Sequence, residues 1–314
     1  MNIDELKQYI NSLDNNSVRK IASSIDNSRL RNLLYRKDIN GYVNELIKHS
    51  LDGDTSILKY PFANDLIINN DEDTLLHNIA NNIKDVPDSI LNNQNIISKN
   101  NLGLAPLHIL AKKTKKEIFN LSKYITTLTD NEKNTPLHYF LQNMQDISKY
   151  QKVLDISAVN RIKNDNGFTP LALFVVNKYY LQNGIDYETF KILVKHNDIN
   201  YGRYGDYKIS ISHILFSKTY DRPKLIYNYV LQNIFSDPEI ASHDIDGNLP
   251  THYFAAALVK DTNINDNTIE LFSSTRLKHN NDKGFSAFDI LKNPNLIDDS
   301  TSLYNVVFEN KLGI

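Results

Sequence analysis

The chain has 314 residues, with 35 basic and 37 acidic side chains, a net charge of −2 and no cysteine. That balance, without any dense Lys/Arg block, excludes a strongly basic nucleic-acid-binding surface. The lack of thiols excludes disulfides, zinc–thiolate centres and cysteine nucleophiles, and fits a reducing compartment.

With 41% hydrophobic and 23% charged residues, the composition supports a buried core rather than disorder. Residues 1–60 read as helices from Ile3 to Leu13, Ser17 to Ile25 and Ile39 to Leu51. Leu6, Ile10 and Leu13, then Val18, Ile21 and Ile25, recur at the three- and four-residue spacing of one helix face. Ser17 and Asn27 are of the type that caps a helix N-terminus.

Beyond residue 60 one short motif returns. It reads TLLH at 74–77, APLH at 105–108, TPLH at 135–138, TPLA at 169–172, SISH at 210–213, LPTH at 249–252 and SAFD at 286–289. Successive starts lie 31, 30, 34, 41, 39 and 37 residues apart (105 − 74, 135 − 105, and so on). Two residues before the motif stands Gly103, Gly167, Gly247 or Gly284, replaced by Lys133 and Lys208 in two units. Asn/Asp-rich stretches such as NDNG (164–167), DIDG (244–247) and NDKG (281–284) precede it and mark tight turns. A short apolar run follows, then a polar loop, then a second helical pattern. The clearest is YETFKILVKHNDIN (187–200), with Phe190, Ile192, Leu193 and Val194 on one face; others cover 116–125, 222–233 and 267–274. Residues 178–186, 202–208, 234–243 and 259–266 read as loop insertions.

DNGFTPLALFV (165–175) followed by KILVKHNDIN (191–200) resembles one unit of the ankyrin-repeat family almost end to end. The resemblance covers residues 65–314. It implies an all-α solenoid of about seven helix-pair units over 61–314, with 1–60 as a helical N-terminal cap that covers the stacking face of the first repeat. Thr or Ser at the motif start caps the first helix, and Pro suits the first helical position, where its missing N–H costs nothing. The family implies that His77, His108, His138, His213 and His252 tie turn to helix and bridge neighbouring repeats. Equivalent positions would then lie about 10 Å apart, the spacing of packed helices. Two ligands of one ion both sit about 2 Å from it, so these histidines are not expected to share a metal.

DIDGNLP (244–250) is not a calcium loop, because its Gly comes two positions early and the twelfth position is not Glu. Neither a phosphate-binding Gly-Lys-Ser/Thr loop nor a Gly-x-Ser-x-Gly elbow occurs. The expectation is a non-catalytic, cofactor-free and metal-free interaction module, monomeric, which binds a protein partner on its concave face. No apolar run, FAAALV (254–259) included, approaches the ~20 residues of a membrane span. The contact residues expected from the turns are Asn101, Leu102 and Leu104; Asn131, Glu132 and Asn134; and Asp165, Asn166 and Phe168. Lys112 and Gln142, at first-helix ends, join them. Phe168 leads this set as a large apolar side chain at a position that usually projects from the turn, with burial against a neighbouring turn as the other reading, and Lys191 stands on the opposite side.

Lys112, Lys113, Lys115 and Lys116 form a basic run, and Tyr179, Tyr180, Tyr201, Tyr204 and Tyr207 sit in the insertions; each reads as a solvated or locally packed group, with a partner contact as the other reading. The excess of Asn, Ile, Lys and Tyr reflects AT-rich codons. With the interaction fold it suggests a secreted effector or a viral host-interaction protein acting in a host cytoplasm. An internal scaffold, and an enzyme confined to residues 1–60, are the alternatives.

Overall fold

A computed structural model of the chain describes residues 1–113, 122–144, 153, 156, 159, 161–181, 187–195, 208–216, 243–261 and 278–296. These residues are mostly helical and contain no β-strand, only isolated bridges at Ile67–Thr74 and Asn280–Ser286. The chain divides into two compact units, Met1–Phe140 and Leu141–Ile314.

The first unit opens with α1 (Ile3–Ser12), α2 (Asn15–Ala22), α3 (Ser28–Tyr35) and α4 (Ile39–Leu51). Each starts on an Asn or Asp side chain that accepts an otherwise orphaned backbone N–H: Asn2, Asp14, Asn27 and Asp38. Asn2 and Glu5 complete a reciprocal capping box, with bonds of 2.8 and 3.0 Å. The expected cap at Ser17 is corrected: Asp14 caps α2 and accepts the Ser17 N–H at 2.7 Å. Helix α3 was not anticipated. It is eight residues long and buries only Leu30 and Leu34, too few positions for a visible period.

After α4 the chain turns through a 3₁₀ segment, Thr55–Lys59. Asp26 anchors this segment, pairing with Lys59 at 2.7 Å and accepting from the Tyr60 hydroxyl. The fully buried Tyr42 donates its hydroxyl to the Pro61 carbonyl at 3.0 Å. Met1 lies along residues 65–67, its ammonium on the Asp65 carbonyl (3.0 Å) and its own carbonyl accepting the Ile67 N–H (2.9 Å).

Next come α5 (Leu75–Asn82), the short α6 (Asp88–Leu91), α7 (Pro106–Lys113), α8 (Ser122–Thr127) and α9 (Pro136–Gln142). Helix α4 packs on α5, and α5 on α7. One hydrophobic core runs from Leu6 through Tyr42, Leu75 and Ile79 to Leu110. The N-terminal helices therefore share a core with α5 and α7, and the compact units divide inside α9.

The second unit contains α10 (Pro170–Leu181), α11 (Tyr187–Lys195), α12 (Ile211–Phe216), α13 (Pro250–Asp261) and α14 (Ala287–Lys292). The first helices stack in order, α10 on α12, α12 on α13, α13 on α14. Phe216 is the hinge of the packing, edge-on to Phe190 of α11 at 6.0 Å and to Phe254 of α13 at 5.8 Å. On α11 the inward positions are Phe190 and Leu193, with Ile192 half-buried. Two of the expected insertions begin inside helices, since 178–181 continue α10 and 259–261 continue α13. Helical residues thus lengthen these units, where the sequence suggested loops. The expected helices at 222–233 and 267–274, and the insertions' remaining residues apart from Lys208, His243 and the neighbouring described positions, lie outside the described residues.

Two positions before every motif the backbone is left-handed. Glu72, Gly103, Lys133, Gly167, Lys208, Gly247 and Gly284, each two residues before a motif, all have φ between +54° and +83°. Lys133 and Lys208 therefore keep the left-handed conformation despite the missing glycine, and Glu72 adds a unit whose turn carries no glycine at all. In six of the seven an Asx residue (69, 100, 130, 164, 244 or 281) stands three positions earlier and sets the turn; the corresponding position before Lys208 is Gly205, outside the described residues. The Asx side-chain oxygen accepts backbone N–H groups two or four residues on: Asn100 from Leu102 (3.0 Å) and Leu104 (2.9 Å), and Asp244 from Asp246 (2.9 Å) and Asn248 (2.7 Å).

Two glycines in equivalent turns separate the causes of this preference. A Cβ on Gly103 would stand 2.5 Å from Asn131 Oδ1 and 2.6 Å from its backbone N, whereas one on Gly167 would meet nothing within 4 Å. Gly167→Ala should cost about 1–2 kcal/mol, the left-handed penalty alone. Gly103→Ala should cost roughly 1–3 kcal/mol more, as the neighbouring turn is pushed away. Urea unfolding of both variants checks this, and equal losses would show that space between turns plays no part.

Candidate functional site

The motif histidines are the N3 residues of unusual capping boxes. The ring Nδ1 accepts the backbone N–H of the residue three before it: Thr74 for His77 (3.1 Å), Ala105 for His108 (3.0 Å), Thr135 for His138 (3.0 Å), Ser210 for His213 (3.2 Å) and Leu249 for His252 (2.9 Å). An accepting Nδ1 places the proton on Nε2, an assignment drawn from the network. In three of the rings Nε2–H donates to the carbonyl just before the next motif: Leu104 from His77 (3.0 Å), Asn248 from His213 (2.9 Å) and Phe285 from His252 (3.1 Å). His108 differs. Its buried Nε2 makes no hydrogen bond of ordinary geometry, although the Asn134 and Leu128 carbonyls lie close enough to oppose the effect of burial on the ring.

Two units add a tyrosine. Tyr139 packs edge-on to His108 (5.8 Å) and donates to Asp130 at 2.7 Å; Tyr253 packs edge-on to His213 (5.4 Å) and donates to Asp244 at 2.6 Å. Burial first, then Asp130, pushes the Tyr139 hydroxyl well above its ordinary pKa. The signal stands in the sequence. Where the turn residue is Asp (130, 244), the residue nine positions on is Tyr; where it is Asn (69, 100, 164, 281), that residue is not Tyr. The second carboxylate oxygen exists to take the hydroxyl.

The turns also bind one another through backbone. Asn101 N–H donates to the Asp71 carbonyl (2.8 Å), Asn131 N–H to Leu102 (3.2 Å) and Asp282 N–H to Asp246 (3.0 Å). The Asn101 side chain donates to the Asn70 carbonyl (3.0 Å) and that of Asn131 to the Asn101 carbonyl (2.9 Å).

In the first unit the structure thus brings Asn101, Leu102, Asn131 and Glu132 together on adjoining turns, all four exposed. Leu102, at 58% exposure, is the most exposed large apolar side chain described. Lys112 is exposed at the end of α7, and Leu104 is half-buried with its carbonyl taken by His77. Asn134 is buried and donates to Asp130 (3.2 Å) and Glu132 (3.3 Å), so it belongs to the turn and offers no contact surface. In the second unit Asp165 and Asn166 are exposed, and Gln142 is half-buried with its carbonyl accepting from Asn177.

Phe168 is corrected. It is fully buried, and its N–H and carbonyl close the turn on Asn164 at 2.9 and 3.0 Å. An aromatic side chain at this position gains more from the core than a tip position offers. Sequence reasoning missed Asp71, beside Asn101, and Ile245, which is 48% exposed. Lys115, Lys116, Tyr201, Tyr204 and Tyr207 lie outside the described residues, while Tyr179 and Tyr180 fall within α10. Among the described residues no helix is long and apolar enough to cross a membrane.

No family model matches the chain, and no curated protein is similar to it in sequence.

The buried rings make stability depend on pH. Burial disfavours the imidazolium of His77, His108 and His252, lowering each pKa, to about 4 for His108. The unfolded rings take protons near pH 6.5, so their contribution is present above that value and is lost as pH falls toward the folded pKa. The His108 ring should cost about 1 kcal/mol of stability by pH 5.5, and His77 and His252 add losses of the same sign. The Asp26 carboxylate does not titrate in this window, because hydrogen bonds from Lys59 and Tyr60 hold it at about 2. Urea midpoints measured from pH 7.5 to 5.5 should fall steadily, less steeply in His108→Gln. A flat profile would mean the rings are not held neutral.

Proposed function

We propose that this chain is an ankyrin-repeat interaction module, a non-catalytic protein that holds another protein against its turn tips and first-helix ends. The observation that carries this reading is the recurring division of labour within the turns. Asx residues, left-handed residues and histidines are committed to the fold, while the residues at the tips between them face solvent and differ in kind: Asp71 and Glu132 are acidic, Leu102 is apolar. The repeated capping-box histidine with its onward bond to the next turn supports the family reading. Residues 1–60 extend the first core and act as its cap.

The departures are consistent with the same plan. Ala172 cannot form the histidine link, and Thr169 Oγ1 alone accepts its N–H (3.3 Å). Asp289 forms the local capping box with Ser286, at 2.9 and 2.6 Å, but as a carboxylate has no donor to pass onward. Composition rich in AT-codon residues, joined to an interaction fold, favours a secreted effector or viral host-interaction protein that meets its partner in a host cytoplasm.

The purified chain, used to capture partners from host-cell lysate with identification by mass spectrometry, provides the partner for a quantitative test. Leu102→Asp should weaken its affinity at least tenfold, as expected for an apolar anchor, while leaving the melting temperature nearly unchanged. Arg19→Glu on exposed α2 should leave affinity as it was. Loss with Arg19→Glu but not with Leu102→Asp would move the site off the turns.

A further inference from the structure

Two histidines outside the motif are drawn together in the second unit. His243 precedes the turn residue Asp244 by one position, and His279 precedes Asn281 by two, so they do not occupy equivalent places in their repeats. Both are exposed, and their ring centroids lie 5.4 Å apart with the planes tilted by 32°. The next imidazole, His252, is 6.5 Å from His279 but is committed: Nδ1 accepts from Leu249 and Nε2 donates to Phe285.

The spacing fits one shared ion. With a metal–nitrogen bond of about 2.0–2.1 Å and a ring centroid about 1.2 Å behind that nitrogen, each centroid stands about 3.2 Å from the metal. Centroids 5.4 Å apart then subtend an angle of about 115° at the ion, close to tetrahedral. The rings also sit on turns that are already fixed to each other. Asp282 N–H donates to the Asp246 carbonyl at 3.0 Å, and the Asn281 amide to Asn248 Oδ1 at 2.8 Å. The backbone that carries both rings is therefore already ordered, and the rings themselves are what binding must orient.

We propose that His243 and His279 form a two-imidazole site for a divalent transition metal of the zinc–copper–nickel class, which neutral imidazole suits. Among the described residues no group of three or more His, Asp or Glu is placed to hold a metal ion. Asp244, the nearest carboxylate in sequence, is saturated by the Asp246 and Asn248 N–H groups, the Asn248 amide and the Tyr253 hydroxyl. Water fills the remaining positions, and the ion clamps the 244–248 turn to the 281–285 turn. This site is independent of the interaction surface proposed above and survives if that reading fails.

The test uses the full chain freed of metal with chelator. Titration calorimetry with Zn²⁺, Cu²⁺ and Ni²⁺ should show one equivalent bound. His243→Ala and His279→Ala should each lower the affinity at least tenfold, and His49→Ala should leave it unchanged. Saturating Zn²⁺ should raise the melting temperature by a few degrees in the native chain and in His49→Ala only. Electron paramagnetic resonance of the Cu²⁺ form should show two nitrogen ligands, falling to one or none in either site variant. Because both rings are exposed, the metal-free variants should melt where the metal-free native chain does. Absence of binding, binding retained in both site variants, or an equal response to Mg²⁺ and Ca²⁺ would each overturn the proposal.

Discussion

The repeats depend on how the first backbone N–H of each motif is satisfied. A helix start leaves N–H groups without partners, and here they point into a largely buried seam. Histidine meets this constraint in a way that a carboxylate cannot. One ring nitrogen accepts the local N–H while the other, about 2 Å away across a rigid ring, donates to the next turn. Capping and repeat-to-repeat attachment thus become one interaction. Asp289, which accepts but cannot donate, and Ala172, which does neither, show what each half of the bond supplies. The same double use requires a neutral ring, which is why burial and proton affinity are tied together in this fold.

The turn between repeats is held by a second local device, and the two are adjusted to one another. The Asx side chain replaces the hydrogen bonds that a strand would supply and forces a left-handed residue three positions on. Where Tyr139 or Tyr253 swings back from the following helix, the Asx residue is aspartate, and the tyrosine ring closes against the histidine of the preceding repeat. A single extra carboxylate oxygen therefore links turn, helix and neighbouring ring. An exchange of Asp130 for Asn would leave the Tyr139 hydroxyl facing an amide that must give up a donor to receive it.

The helical class and the repeated turns were legible because they rest on local chemistry: Thr or Ser starts, Pro at the first position and Asx-rich turns all act within five residues. Helix α3 was not legible because its two buried leucines give no period. Ser17 was mistaken for a cap because both it and Asp14 are good caps, and only the geometry shows which one sits outside the helix. The last residues of α10 and α13, 178–181 and 259–261, look like loop in the sequence because polar and aromatic residues there break the apolar run without breaking the backbone bonds. Phe168 was misplaced for a different reason. Position in a turn says where the backbone goes, whereas an aromatic ring follows the nearest cavity that removes it from water. The His243–His279 approach is a tertiary fact between residues 36 positions apart (279 − 243), and nothing local announces it.

The division of labour in the turns bears on how such a surface acquires specificity. Within each turn the Asx side chain, the left-handed residue and the backbone of the first tip residue are fixed by hydrogen bonds. The second tip residue contributes its carbonyl to the next turn, as Asp71, Leu102 and Asp246 do, and that bond is indifferent to its side chain. The fold therefore asks little of the side chain at this position, although Glu132 accepts from the Asn134 amide. Asp71, Leu102, Glu132, Asp246 and Lys283 differ in charge and polarity at equivalent places, whereas the Asx positions scarcely vary. On the interaction reading proposed above, a surface read one residue per turn from such positions would change its partner without disturbing the buried seam. The limit on that freedom is the first tip position, where the Asn101 and Asn131 side chains stitch one turn to the next; a partner that drew those amides away would have to replace the bonds it broke.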